Sequence, residues 1–179
     1  MKNNQYLTFQ YSIMELQRGK ERFIQSWGAF GSSWGINRTM AQVHALLLIS
    51  QESLSAEEIM EELQISRGNA NMNVRALIDW GLVYKDLQPG ERKEFFKAEK
   101  DMSVVVKQII THRKKKELEP MLKVLDEISS VENVCEESKE FTKVVSDIKL
   151  FSSKADSVLD KLIKADSNWL LSTFLKMVK

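Results

Sequence analysis

The chain has 179 residues, 43% of them hydrophobic and 28% charged, with a formal net charge of +1. These values fit a soluble globular protein long enough to bury a core, and they exclude a protein that coats nucleic acid by bulk positive charge; no apolar run approaches the ~20 residues needed to span a bilayer. One cysteine, Cys135, excludes an internal disulfide framework, and the start MKNNQYLTFQ lacks a signal-peptide core, so a cytoplasmic location is expected.

Two prolines and seven glycines predict a mostly helical chain, because both residues interrupt helices. Phe9, Ile13, Leu16, Phe23, Trp27, Phe30 and Trp34 recur at helical spacing and predict a long amphipathic helix from about Leu7 to Ser33, ended at Gly35. Its last turns carry three large aromatics. Such rings are able to box a quaternary ammonium, but aromatics at this spacing are read here as core or dimer contacts. A second helix is predicted from the cap Asn37 to Ile49, burying Val43, Leu46, Leu47 and Ser50. His44 within it is read as a satisfied core or boundary residue.

Leu54 to Val83 has the form of a helix-turn-helix. Ser55 and Glu58 have the spacing of a capping box, and Leu54 and Ile59 that of a hydrophobic staple. Ile59, Met60 and Leu63 share an apolar side, with Glu57, Glu58, Glu61 and Glu62 outward. Gln64 and Ile65 make the corner, and Ser66 caps a second helix that buries Ala70, Val74, Leu77 and Ile78. Arg67, Asn69, Asn71, Met72, Asn73 and Arg75 are then left outward near its start, a face with two cations, three amides and no acid, suited to bases and phosphates. Gly81 is a left-handed helix stop. Leu82–Leu87 and Lys93–Ala98 read as strands around Gln88-Pro89-Gly90-Glu91, a type II turn.

Helix, corner, helix, glycine and basic-tipped hairpin in this order resemble the winged helix-turn-helix of the MarR family of transcriptional regulators, in particular its GbsR-like branch. The resemblance runs from about Trp34 to Ala98. It rests on Gly35-Ile36-Asn37-Arg38, Ser66, Gly81-Leu82-Val83 and Pro89-Gly90-Glu91-Arg92. Asn37 stands where the family often has proline, and the run Asn69, Asn71, Asn73 is unusually amide-rich. The resemblance implies a fold that is mostly α with a small β-wing, and a homodimer on double-stranded DNA with an inverted-repeat operator. The DNA-binding residues it suggests are Ser66, Arg67, Asn69, Asn71, Met72, Asn73 and Arg75, with Arg92 and Lys93 from the wing. A small-molecule effector is a further partner to be expected; no membrane, cofactor or metal is.

After the wing, Asp101 caps a helix with Val105, Ile109 and Ile110, followed by His112-Arg113-Lys114-Lys115-Lys116, read as a solvated face. Pro120 is expected to kink or end this helix, and Leu118, Leu122, Leu125 and Ile128 continue an apolar side. Phe141, Val144, Ile148, Phe151, Ala155, Val158, Leu162, Ala165 and Trp169 then alternate at three and four residues, a heptad seam widened by Val145, Leu159 and Ile163. One helix from about Cys135 to Ala165 follows, and a short last one carries Trp169, Leu170, Phe174, Leu175 and Val178.

Three regions result: residues 1–36, a dimerisation and support helix; 37–100, the winged helix-turn-helix; and 101–179, a C-terminal helical dimerisation region. Enzymatic chemistry finds no constellation, because His44 and His112 are the only histidines and no glycine-rich phosphate loop or metal-ligand spacing is present. The function expected is a sequence-specific DNA-binding regulator. The alternative is a winged-helix module that binds protein instead of DNA, since fold does not fix function.

Overall fold

The computed structural model describes residues 15–165. The start of the first helix, with Phe9 and Ile13, and the last helix with Trp169 lie outside them. Within them the chain forms seven α-helices and one three-stranded sheet, mostly α with a small β-wing. It divides into two compact units, one up to Arg75 together with Lys85–Lys97, the other Ala76–Tyr84 together with the chain from Ala98.

In the first unit α1 (Leu16–Ser33) packs along α2 (Arg38–Ile49). Two glycines set the distance: a Cβ on Gly31 would lie 2.6 Å from that of Ala41, and one on Gly28 2.7 Å from Gln42 Cγ. The aromatic periodicity had shown the helix but not this close approach. Asn37 caps α2, its side chain accepting from Met40 N–H at 3.1 Å. Val43, Leu46 and Leu47 are buried as expected, whereas Ser50 is only half-buried.

His44 is buried against Trp27, ring centroids 6.2 Å apart, but it is not satisfied: its Nε2 has no hydrogen-bond partner among the described residues. The carbonyls of α2 are engaged in the helix's own hydrogen bonds, and the ring beside His44, that of Trp27, offers no acceptor. Burial pushes the imidazole pKa down to about 4.

β1 (Leu54–Ser55) leads into α3 (Ala56–Leu63). The capping box is formed: Ser55 Oγ accepts from Glu58 N–H at 3.3 Å and the Glu58 carboxylate accepts from Ser55 N–H at 2.7 Å. The backbone bond from Ser55 holds the Glu58 carboxyl below its ordinary range. Gln64 makes the corner in the left-handed region, φ 53°, and α4 (Arg67–Asp79) follows.

β2 (Val83–Asp86) and β3 (Phe95–Ala98) form the wing, and β1 adds to β3 antiparallel with Leu54 opposite Phe96, in the order β1-β3-β2. That third strand was not foreseen, because two residues are too few for an alternating pattern. At the wing tip Gly90 has φ 85° and Glu91 N–H donates to Gln88 O, the type II turn. Gln88 Nε2 also donates to Ser53 Oγ at 3.0 Å, tying the tip to the loop before β1.

In the second unit Gly81, φ 71°, closes α4 with Leu82 N–H donating to Leu77 O. Asp101 caps α5 (Met102–Arg113), accepting from Ser103 N–H at 2.8 Å. Pro120 does not end the helical path. A π turn at Lys114–Leu118 carries it into α6 (Glu119–Ile128), which places the proline at the start of a helix, where a missing N–H costs least. Leu125 is the buried centre of the apolar side of α6.

The basic run beside this turn is not a uniformly solvated face. Lys115 and Lys116 are exposed, but His112 stacks on Trp80 with centroids 4.2 Å apart. Lys114, only 12% exposed, lies 2.8 Å from Asp156 and 3.0 Å from Asp160. Those two carboxylates, on the long helix α7 (Glu136–Lys164), raise its pKa. Five consecutive helical residues point round the whole circumference, so some of them must face α7.

α7 (Glu136–Lys164) packs on α5 and α6. Its inward side is Val145 and Ser152, both buried, with Leu159 half-buried. The seam read from the sequence lies roughly a quarter turn round the helix from that side. There Phe141, Val144, Ile148, Phe151 and Val158 are exposed.

Candidate nucleic-acid interface

The candidate face lies on the first turns of α4, just after the corner. Ser66 Oγ accepts from Asn69 N–H at 3.2 Å, capping the helix at the position expected. Ala70 and Val74, at most 1% exposed, hold the inner side of α4 in this unit. Arg67 stands at the helix start, 72% exposed, and Met72 and Arg75 are exposed beyond it. Asn69 and Asn71 are half-buried.

Asn73 departs from the outward set: it is 3% exposed, and its Nδ2 donates to Asn69 O at 2.8 Å and to Asn69 Oδ1 at 2.7 Å. Its position, three residues after Ala70 and four before Leu77, puts it on the buried stripe. The helical period alone was enough to place it there; the amide's polarity outweighed that signal.

The side chains on this face are already engaged. Arg67 Nη2 donates to Glu57 Oε1 of α3 at 2.9 Å, and Asn71 Nδ2 donates to Arg67 O at 3.0 Å. The Glu57 contact was missed because α3 was read as a solvated support with its acids facing away. Both bonds are on the surface, where exchange for a phosphate or base partner is inexpensive. Gly68 is open, with nothing within 4 Å of a Cβ placed on it.

The wing supplies the second group of cations. Arg92 and Lys93 are exposed and form no ion pair within 4 Å among the described residues, and Glu94 is paired with Lys85. Leu87 beside them is 87% exposed. Arg75 also lacks an ion pair among the described residues. The start of α4 and the wing tip belong to the same compact unit. Among the described residues no cluster of three His, Cys, Asp or Glu side chains is arranged to hold a metal, and no helix is long and apolar enough to cross a membrane.

Comparison with known proteins bears on the same segment. A profile described as MarR family matches residues 34–94. The HTH-type transcriptional repressor GbsR of Bacillus subtilis (strain 168) is 29% identical over 86 residues, 48% of this chain and 47% of the relative, so the match spans about half of its length. A solved structure described as a transcriptional regulator superposes with a TM-score of 0.64 over 81% of this chain and 95% of that one, at 16% identity, a likeness of fold.

Proposed function

We propose that this chain, whose residues 34–94 match the MarR family, is a MarR-family winged-helix transcriptional regulator that binds specific double-stranded DNA as a homodimer. The observation that carries this reading is the run Arg67 to Arg75 at the start of α4, which contains no acid, in one unit with the exposed Arg92 and Lys93 of the wing. Residues 37–100 are the DNA-binding region. Residues 1–36 and 101–179 supply dimer contacts.

Ser66, Arg67 and the amides at the helix start enter the major groove, with Met72 and Arg75 further along, while Arg92 and Lys93 contact phosphates or the minor groove. A two-fold dimer places half-sites about 10 base pairs, or a multiple of it, apart as inverted repeats. The exposed apolar side of α7 supports the dimer, since a face carrying Ile148 and Phe151 is covered at little cost by its own copy. Response to a small-molecule effector belongs to the same proposal. The place we assign to it is a groove of about 600 Å³ in the first unit, whose lining includes Ile24, Leu46 and Leu54 together with Lys20, Glu21 and Glu62.

Titration of DNA at two salt concentrations tests the reading, because phosphate contacts make affinity fall steeply with salt. Arg92→Ala should weaken all sequences alike and lower the salt slope by about one, whereas Asn71→Ala should cost about 1–3 kcal/mol on the selected operator and less on others. Equal losses on every sequence for Asn71→Ala would remove it from base reading. Absence of binding at low salt would favour a protein-binding winged helix, which the near-neutral charge of the chain also suits.

Gly68→Ala separates stability from binding at the helix start. The methyl meets open space, so the folded chain should gain up to about 0.5–1 kcal/mol in urea unfolding. The same methyl stands in the path of the phosphates, and operator affinity should drop. Unchanged affinity would show that DNA does not approach this turn.

A further inference from the structure

We infer that Asn73, buried and out of reach of DNA, is a positioning residue that turns Asn69 into a donor-only reader of base edges. This rests on the DNA-binding reading above. The orientation of both amides follows from one unambiguous atom. The main-chain carbonyl of Asn69 only accepts, so the Asn73 side-chain atom 2.8 Å from it is Nδ2. The second N–H of that nitrogen points to the Asn69 side-chain atom 2.7 Å away. Two NH₂ groups cannot face each other at that distance, so the atom is Oδ1.

Asn69 is thereby held with its acceptor turned inward. Its Nδ2 makes no hydrogen bond among the described residues and is not among the buried atoms lacking one. Asn69 lies in the first turn of α4, with its N–H on the Ser66 cap, which is the part of such a helix that meets base edges. Reversing its amide would leave the buried Asn73 N–H facing another donor, which keeps the reversed form a minor species.

The consequence runs against the usual pairing of asparagine with adenine, which needs one acceptor and one donor from the same amide. With Oδ1 turned inward to the buried Asn73, Asn69 presents its NH₂ donors outward. It therefore favours an edge made of acceptors: guanine, through O6 and N7, or thymine, through O4. Adenine offers only N7 beside its N–H₂ group and cytosine only an N–H₂ group, so both are disfavoured relative to guanine and thymine.

The test uses the full chain and operators selected from a random DNA pool. The position read by Asn69 is the one whose preference disappears in Asn69→Ala. Wild type should prefer guanine or thymine there by about tenfold over adenine and cytosine, the lower part of the range for one base contact. Asn73→Ala frees the amide to turn, and the preference should shrink to within about threefold while binding to unrelated positions keeps its ranking.

Asn73→Asp places an acceptor opposite Asn69, which should turn Nδ2 inward and Oδ1 outward, so that adenine or cytosine becomes preferred. Should the buried carboxylate unfold the chain, Asn73→Ala alone decides. An unchanged preference in Asn73→Ala, an equal loss on all sequences, or adenine at the Asn69 position in wild type would overturn the inference while leaving DNA binding intact. Lack of any DNA binding by wild type would overturn both readings.

Discussion

Replacing Ile148 and Phe151 together with lysine should convert the proposed dimer to a monomer without unfolding the chain. Both side chains are exposed in the single chain, 40% and 74%, so the substitutions remove little packing within it. Against a second copy they would place ammonium groups in an apolar seam, unfavourable by several kcal/mol in order of magnitude.

The periodicity by itself marks Phe151 and Leu162 as the pair to change. The structure moves the second substitution, because Leu162 is half-buried and its loss would confuse folding with assembly. Sedimentation of the variant should give half the wild-type mass with an unchanged helical circular-dichroism signal. Affinity for a two-half-site operator should fall by about 10²–10⁴, the effect of losing a second linked contact. A dimer of unchanged mass would exclude this side of α7 from the interface.

The second large effect is on stability in acid and comes from His44. Its folded pKa of about 4 lies below the ordinary 6.5, so the unfolded chain takes up a proton that the folded chain refuses. Stability attributable to this residue is complete above pH 6.5 and is lost as pH falls from 6.5 to 4. The loss reaches about 3 kcal/mol at the lower limit.

His44→Leu fills similar space without a titrating group, and urea midpoints between pH 7 and pH 4.5 should then lose a slope of roughly one proton. An equal slope in both proteins would assign the acid sensitivity elsewhere. Glu58 and Asp101 also lose stabilising bonds in acid, but their carboxyls are held below the ordinary carboxylate range and act at lower pH.

Much of this molecule is decided by residues near one another in the chain. Asn37, Ser55, Ser66 and Asp101 each start a helix where a short polar side chain meets a free N–H, and Gly81 and Gly90 take left-handed backbone at the stop and the turn. Buried stripes such as Ala70, Val74 and Leu77 follow from the helical period. These effects act over three or four residues, so the sequence carries them in full. The order of helix, corner, helix and wing follows from them.

Tertiary structure decided what depends on partners distant in sequence. Nothing local to Leu54 and Ser55 announces a strand; it exists because β3 lies alongside. Lys114 is one of several consecutive cations in sequence, and only the arrival of Asp156 and Asp160 from α7 makes it an internal ion-pair centre. Arg67 acquires Glu57 because the corner brings α3 beside the start of α4.

At the candidate site the same division holds. The period of the helix and the residue types locate the outward face. Which amide is outward, which is buried and which way its oxygen points were settled by packing, because a helix fixes a side chain's direction only to within the turn, and burial against neighbours fixes the rest.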